Sequence, residues 1–525
     1  MTAQWARAAW VLVMSAPVMA FAAGANPTLP KEPAGFVLAA KESDSPLSRD
    51  ELFGVAPEVE KNTKPVPKAE TAPASKDDLF GIEPAMKGGQ RTPAAKEALP
   101  SSKDELFGEA PAIQKTPRAE VSPWQGFFQT ELGYAYADPE HWTKTMARLE
   151  LGTHGQFGNG VRWKVSGRLD YNPVYDLTDY YSASVRRDQL VELQLRETYL
   201  DFSAGGLDWR VGRQHIVWGE MVGLFFADVV SAKDMREFVL PDFQTLRIPQ
   251  WAARAEYFKD DFHAEMVWIP FPSYDRMGKP FDPAKSGAGA DFFPYPVSPA
   301  GIPLVAGEQK PDYGLNHTNV GLRLSQLTHG WDVSGFVYSS MDSQATFYRD
   351  PVNKQVFYPR HDRIWQAGGT LAKDLGPAVL KAEAVYTDGR RYNTLNLVDE
   401  DGLVKQNTLD WAVGLDFNPT AETRLNAQLF QRVYFDHDPY SVFDRLENGA
   451  SFLVNHQFSS SWEAEALLVH SLNRSEWMLR PKVSWKFQPN WRLTGGVDVF
   501  HGPPTGIFGR FDQQDRVYTE LRRDF

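Results

Sequence analysis

The feature of this sequence that most constrains its fold is an alternation of apolar and polar side chains, repeated in many segments beyond Ser122. Between residues 161 and 171, one parity carries Val161 and Val165 while the other carries Arg162 and Lys164. Successive side chains of a β-strand point to opposite faces, so this segment is predicted to be a strand with one apolar and one charged face. The pattern predicts an all-β fold for residues 123–525.

The alternation recurs often enough to predict about 18 strands, within a range of 16 to 18. Tight turns such as residues 204–205 and 259–260 alternate with long connections such as 219–249 and 271–315. Short turns on one side and long loops on the other are typical of an antiparallel transmembrane β-barrel. The predicted strands are 126–138, 144–157, 161–172, 191–203, 206–218, 250–259, 261–270, 316–327, 330–340, 362–374, 377–388, 408–418, 421–435, 449–459, 460–472, 476–488, 490–501 and 515–525.

A soluble β-sandwich is the alternative fold for such a pattern. A sandwich would place the apolar parity inside, and it gives no reason for aromatic residues at the strand ends. The barrel is therefore favoured, and its apolar parity should face lipid. The residues expected on that face include Trp163, Val165, Leu415, Trp485 and Leu493.

Two groups of residues resemble those of known outer-membrane barrels. The chain ends in Phe525, like the assembly signal of outer-membrane proteins, although Arg523 stands where an apolar residue is usual. Residues 196–202 and 211–219 are similar to the paired-strand signature of porin and alginate-export-type barrels. They are closest to a poorly characterised family with Gly-Arg-Gln and Trp-Gly at these points. The resemblance, which covers about residues 122–525, implies a Gram-negative outer-membrane barrel that is inserted by the barrel assembly machinery.

The polar parity is predicted to line the lumen and is rich in cations. Guanidinium groups bind carboxylates and phosphates, so rows of arginine favour a path for anions or acidic sugars. The alternative is that cations and carboxylates on neighbouring strands neutralise each other. The predicted lumen cations are Arg148, Arg162, Lys164, Arg168, Arg210, Arg254, Arg424, Arg432, Arg480 and Arg492.

Residues 221–240 are too apolar for a loop exposed to water, so the sequence predicts that they are buried. The nearest site is the mouth of the barrel, where they would form a constriction. The alternatives are the outer rim and a contact with another protomer. Charged members should meet Arg196, Arg210 and Arg213. The predicted constriction residues are Phe225, Phe226, Asp228, Asp234, Met235 and Arg236.

The sequence favours an outer-membrane channel for small or anionic solutes over an enzyme. It has no cysteine, which excludes disulfides and thiol catalysis. Its net charge of −12 argues against nucleic-acid binding. None of the common hydrolase, zinc-protease or phosphate-binding motifs occurs, and no cofactor or metal is expected. The alternative function is a barrel-anchored scaffold or export partner.

The first 122 residues differ from the rest. Residues 1–22 have the basic, apolar and small-residue parts of a signal peptide, although an uncleaved anchor is the alternative. Residues 23–122 are rich in Pro, Ala, Lys and Glu, while all 19 Tyr lie beyond Ser122. Such a composition cannot offset the entropy of ordering, so we expect a disordered periplasmic linker.

Three similar 12-residue repeats occur in this linker, at residues 46–57, 73–84 and 100–111. Each has the residues of a capped one-turn helix around a Leu-Phe pair, and so short a helix does not persist alone in water. The repeats are therefore predicted to dock onto a periplasmic partner, although a duplicated spacer is the alternative. The docking residues are Leu52, Phe53, Leu79, Phe80, Leu106 and Phe107.

Replacing Phe53, Phe80 and Phe107 together with Ala should abolish co-purification of that partner and leave barrel assembly intact. Single replacements should cause partial loss, because tethered copies bind with avidity. Crosslinking followed by mass spectrometry is the measurement. The docking hypothesis fails if deletion of residues 46–111 leaves the crosslinked proteins unchanged.

Overall fold

The computed structural model describes residues 124–219, 221 and 226–525. Within them, eighteen strands form one antiparallel sheet. The strands are β1 (Trp124–Ala135), β2 (His141–Gln156), β3 (Arg162–Tyr171), β4 (Val191–Ala204), β5 (Leu207–Gln214), β6 (Gln250–Lys259), β7 (Phe262–Phe271), β8 (Asn319–Thr328), β9 (Trp331–Met341), β10 (Arg363–Asp374), β11 (Ala378–Asp388), β12 (Thr408–Thr420), β13 (Thr423–Tyr434), β14 (Leu446–Gln457), β15 (Trp462–Ser471), β16 (Trp477–Gln488), β17 (Trp491–His501) and β18 (Arg516–Asp524).

The sheet is closed, because β1 pairs with β2 on one side and with β18 on the other. The β1–β18 register runs from Phe127 opposite Asp524 to Ala135 opposite Arg516. Each other strand pairs with its neighbours in sequence. The predicted antiparallel 18-strand barrel is confirmed.

The connections alternate in length as predicted. One end of the barrel carries tight turns such as 205–206, 260–261 and 329–330, and the other carries long connections such as 215–249 and 272–318. The longer connections contain the helices α1 (Val174–Leu177), α2 (Ala183–Gln189) and α3 (Phe243–Leu246). They also contain the short strands Ala232–Lys233, Arg247–Ile248, Leu304–Val305, Thr346–Arg349, Val356–Arg360, Arg391–Asn393 and Leu403–Lys405. The 3₁₀ turns are Gly158–Gly160, Leu315–His317 and Gly509–Gln514. No helix in the described part of the chain is long and apolar enough to cross a membrane.

The outer face of the barrel is apolar and the inner face is polar. Val165, Leu415, Trp485 and Leu493 are exposed on the outside, whereas Trp163 is half-buried beside Phe157. Buried polar side chains such as Arg168, Asp410 and Asp498 lie on the opposite parity. An apolar exterior around a polar interior is the arrangement of a barrel that spans an outer membrane.

One strand is shorter than the sequence predicts. The alternation extends β5 to residue 218, but the strand ends at Gln214. Beyond it, Ile216 and Trp218 are fully buried against Phe336 and Tyr338 of β9. The apolar residues after Gln214 therefore do not continue the strand; they belong to a segment that packs on inward-facing side chains of β9.

The two faces predict unequal losses of stability when a charge is added. Val483 is exposed on the outer face in the middle of β16, so Val483→Arg should destabilise the barrel by about 2 to 4 kcal/mol. Ser484 is the matched control, because it is on the inner parity and its hydroxyl lies 2.9 Å from that of Thr494. Ser484→Arg should cost about 1 kcal/mol, the value of one hydrogen bond. Denaturant titrations followed by heat-modifiable gel migration measure the free energy of unfolding of both variants. Equal losses of stability would contradict the assignment of the two faces.

Candidate functional site

The connection between β5 and β6, residues 215–249, folds into the barrel and is called the inner loop below. Trp218 lies near the start of this loop and is fully buried. Its indole nitrogen donates a hydrogen bond of 2.9 Å to Glu265 Oε1 on β7, and its ring lies 5.2 Å from that of Phe336. The start of the loop is therefore fixed to the wall formed by β7 and β9.

Glu383 on β11 provides the next anchor. Its two carboxylate oxygens accept hydrogen bonds from the backbone N–H groups of Met221, at 2.9 Å, and Ala227, at 3.1 Å. Phe226 lies beside Phe430 of β13, with ring centroids 5.9 Å apart. Phe225, which the sequence predicts at the constriction, lies outside the described residues. One buried carboxylate thus holds both ends of a short stretch of the inner loop.

Further along, the loop carries its own ion pairs. Arg236 Nε donates to Asp234 Oδ1 at 2.7 Å, and Arg236 Nη2 donates to Glu192 on β4 at 2.6 Å. The backbone N–H of Met235 donates to the carbonyl of Arg276 at 2.8 Å, while Asp228 accepts from Arg247 at 2.8 Å. These partners replace the expected Arg196, Arg210 and Arg213. The sequence alone does not reveal these contacts, because Glu192 and Arg276 are far from residues 234–236 along the chain.

The loop reaches the wall formed by β16, β17 and β18. The carbonyls of Val239 and Leu240 accept hydrogen bonds of 3.1 and 2.6 Å from Arg480 of β16. Phe238 lies 6.2 Å from Phe500 of β17, measured between ring centroids. The loop is therefore attached to widely separated strands of the wall.

Glu237 makes ion pairs with Lys144 of β2 and with Arg516 of β18. Burial alone would raise the pKa values of Asp234 and Glu237, but Arg236 lowers that of Asp234 and Lys144 lowers that of Glu237. Both pKa values lie below the usual carboxylate range. These pairs therefore stabilise the fold above a pH of about 4 and are lost only when the pH falls through the lower folded-state values.

A second connection, residues 272–318, packs against the inner loop. Phe292 joins Leu240, Phe500 and Phe511 in one buried apolar cluster. A polar cavity of about 60 Å³ lies between these loops and the wall, lined in part by Thr143 and Arg168. A cavity of this size holds a few water molecules. The two long connections thus pack against each other and against inward-facing side chains of the wall.

The ten predicted lumen cations all lie within 4 Å of a carboxylate, on the same or a neighbouring strand. Arg148, Arg168, Arg210 and Arg254 are buried, and Arg162 and Arg424 are the most exposed. The pairs are Arg148–Asp170 (2.7 Å), Arg162–Asp201 (3.7 Å), Lys164–Glu197 (2.6 Å), Arg168–Asp170 (3.3 Å), Arg210–Asp201 (2.6 Å), Arg254–Glu256 (3.1 Å), Arg424–Asp416 (3.0 Å), Arg432–Asp410 (2.5 Å), Arg480–Asp498 (2.8 Å) and Arg492–Glu520 (3.7 Å).

Several buried arginines also hold the inner loop. Arg196 Nη2 donates to the carbonyl of Gln244 at 2.7 Å, and Arg168 Nη1 donates to the carbonyl of Thr245 at 3.4 Å. Sequence reasoning missed this role, and it also missed the contacts of Glu383, Lys144 and Glu237 between the inner loop and the wall. The alternation along each strand indicates which wall residues face inward. It does not indicate which atoms of the inner loop those residues bind.

One group in the described part of the chain has metal-ligand chemistry. Ligand atoms of Glu256, His263 and Glu265 all lie within 4.8 Å of one another. Protein groups already occupy them, because Arg254 binds Glu256 at 3.1 Å and the Trp218 indole binds Glu265. His263 Nε2 itself lies 3.0 Å from Glu256 Oε1. The group fits an internal hydrogen-bond network.

The structure describes the C-terminal end of the chain but not residues 1–123. The signal peptide, the linker and the three repeats lie outside the described residues. Phe525 lies at the closing seam, where its backbone exchanges two hydrogen bonds of 2.9 Å with Gly126. Its side chain is exposed.

Comparison with known proteins gives a family. Residues 141–506 match the family model described as "Protein of unknown function (DUF1302)". A comparison with curated proteins gave no significant match.

Similar solved structures are outer-membrane proteins at low identity. OccAB1 of Acinetobacter baumannii has a TM-score of 0.47 and 9% identity, covering 79% of this chain and 98% of that chain. OccK2 (OpdF) of Pseudomonas aeruginosa, in complex with glucuronate, has a TM-score of 0.44 and 9% identity, covering 77% and 97%. The outer-membrane channel DcaP of Acinetobacter baumannii has a TM-score of 0.37 and 11% identity, covering 77% and 96%. Likeness at this level says nothing about the solute. With the family model matched over residues 141–506, this outer-membrane β-barrel belongs to the DUF1302 family.

Proposed function

We propose that the protein is a channel for small hydrophilic solutes, anions among them, in the outer membrane of a Gram-negative bacterium. The observation that carries the proposal is a closed barrel with a charged interior, in which the inner loop is bonded to inward-facing wall residues. Eighteen strands enclose a lumen wide enough for water and small solutes. Fixed ion pairs along the wall offer hydrogen-bonding groups to a solute that leaves bulk water.

The arginines give limited support to an anion preference. Arg148 and Arg168 share Asp170, while Arg196 lies 3.9 Å from Glu150. Glu131 and Glu237 also act on Arg148, and Glu197 acts on Arg196, so carboxylates largely neutralise these three guanidinium groups. Elsewhere each predicted lumen cation has a carboxylate beside it, so the preference is expected to be weak.

A second candidate function rests on the linker repeats. The barrel would then anchor a scaffold or export partner that recruits a periplasmic protein through Leu-Phe pairs. Trp124 lies opposite Thr153, so β1 begins at the end of the barrel that carries the tight turns. In outer-membrane barrels that end faces the periplasm. A linker continuing from Trp124 would therefore lie where such a partner is found.

Deleting residues 221–240 should raise single-channel conductance in a planar bilayer, because it removes the segment that crosses the lumen. Heat-modifiable migration must show an intact barrel. Glu383→Ala should increase current fluctuations, since it removes both acceptors for Met221 and Ala227. Thr387→Ala is the matched control on the same strand, because its hydroxyl contacts Gln366 of the wall. If the intact deletion variant conducts like the wild type, the inner loop is not the constriction.

Ion selectivity should follow the pairing of wall charges. Lys164→Gln leaves Glu197 without its 2.6 Å partner, so the reversal potential in a KCl gradient should shift toward cation selectivity. Adding Glu197→Gln should restore the wild-type value, because both charges are then removed. A double variant as cation-selective as the single one would show that this pair does not face the ion path.

A further inference from the structure

The Gly-Arg-Gln motif of residues 212–214 has no part in the proposed channel, and its glycine has a structural reason. Gly212 has φ of 134° in the interior of β5. A Cβ atom there would lie 2.3 Å from the carbonyl oxygen of Thr198 on β4. Only glycine accommodates both the positive φ and this close approach. β5 is therefore irregular at this point.

A second irregularity lies on the adjacent pair of strands. The register between β3 and β4 shifts between Val165 and Gly167, and Val165 lies opposite Thr198. Thr198 in turn lies opposite Arg213, the residue after Gly212. Such irregularities bend strands and increase their twist. Two of them on neighbouring strand pairs border an apolar concavity on the outer face, whose lining includes Val165, Thr198 and Gly212.

The concavity is an apolar groove of about 610 Å³ on the outer face. This volume is within the range of about 300 to 1,000 Å³ that is typical of small-molecule sites. The main lining side chains are Phe157, Trp163, Val165, Leu200, Val211 and Trp251.

We propose that this groove seats one acyl chain of a membrane phospholipid. The groove is continuous with the lipid-facing surface, because Val165, Leu200 and Val211 are each about two-fifths exposed there. A polar ligand would find few hydrogen-bonding partners among these side chains. The groove runs along the wall from Phe157, in the connection between β2 and β3 at the tight-turn end, to Trp251 near the opposite end of β6. Its Phe157 end therefore lies at the periplasmic leaflet. That leaflet of an outer membrane consists of phospholipid.

The test is native mass spectrometry of the full chain after incubation with phosphatidylethanolamine vesicles and detergent extraction. The wild type should retain one phospholipid per barrel. Gly212→Ala is a poor test, because it strains the fold. Leu200→Trp fills the groove from the lipid-facing side and should lose the retained lipid.

Leu429→Trp is the matched control, because Leu429 is exposed on the outer face of β13, away from the groove. It should retain lipid like the wild type. All three proteins should have equal conductance, so the outcome is independent of the proposed channel. The proposal is overturned if the wild type retains no lipid or if Leu200→Trp retains as much. A wild-type oligomer without lipid that Leu200→Trp disperses would instead assign the groove to a second copy of the chain.

Discussion

The pairing of β1 with β18 is the constraint on which the rest of the structure depends. The hydrocarbon core of a bilayer offers no water to unpaired backbone groups, so a sheet can cross it only when no edge remains. Closure is completed where the chain ends, with Phe525 bonded to Gly126. Once the sheet is closed, strand parity decides which side chains meet lipid and which meet the lumen.

The lumen then determines the chemistry of the inward residues. Charged side chains that share a narrow interior lower their free energy by pairing, as Arg480 and Arg516 do with Asp498. The inner loop joins this network instead of excluding it, because Glu237 and Arg236 replace water as partners of wall charges. The charges of the inner loop and of the wall therefore form one connected network.

The sequence predicted the barrel well, because a two-residue period is a local property that each strand carries in its own residues. The segment at 161–171 shows this, since its parity matches the observed faces. The site was less predictable. The sequence predicts that residues 221–240 are buried, but it does not reveal that Phe226 packs beside Phe430 or that Arg236 binds Glu192, because these partners belong to distant strands. The sequence predicts too late an end for β5. Ile216 and Trp218 are apolar, and an apolar side chain fits both a lipid-facing strand and a buried loop, so the pattern alone does not distinguish the two.

The two main anchors of the inner loop have a mechanical consequence. Glu383 holds it to β11 and Arg480 holds it to β16, so the loop ties together strands that do not touch each other in the sheet. A closed β-sheet resists extension along its strands, but its cross-section flattens more easily. β11 and β16 lie five strands apart in the ring of eighteen, so a loop segment bonded to both resists changes in the distance between these two parts of the wall.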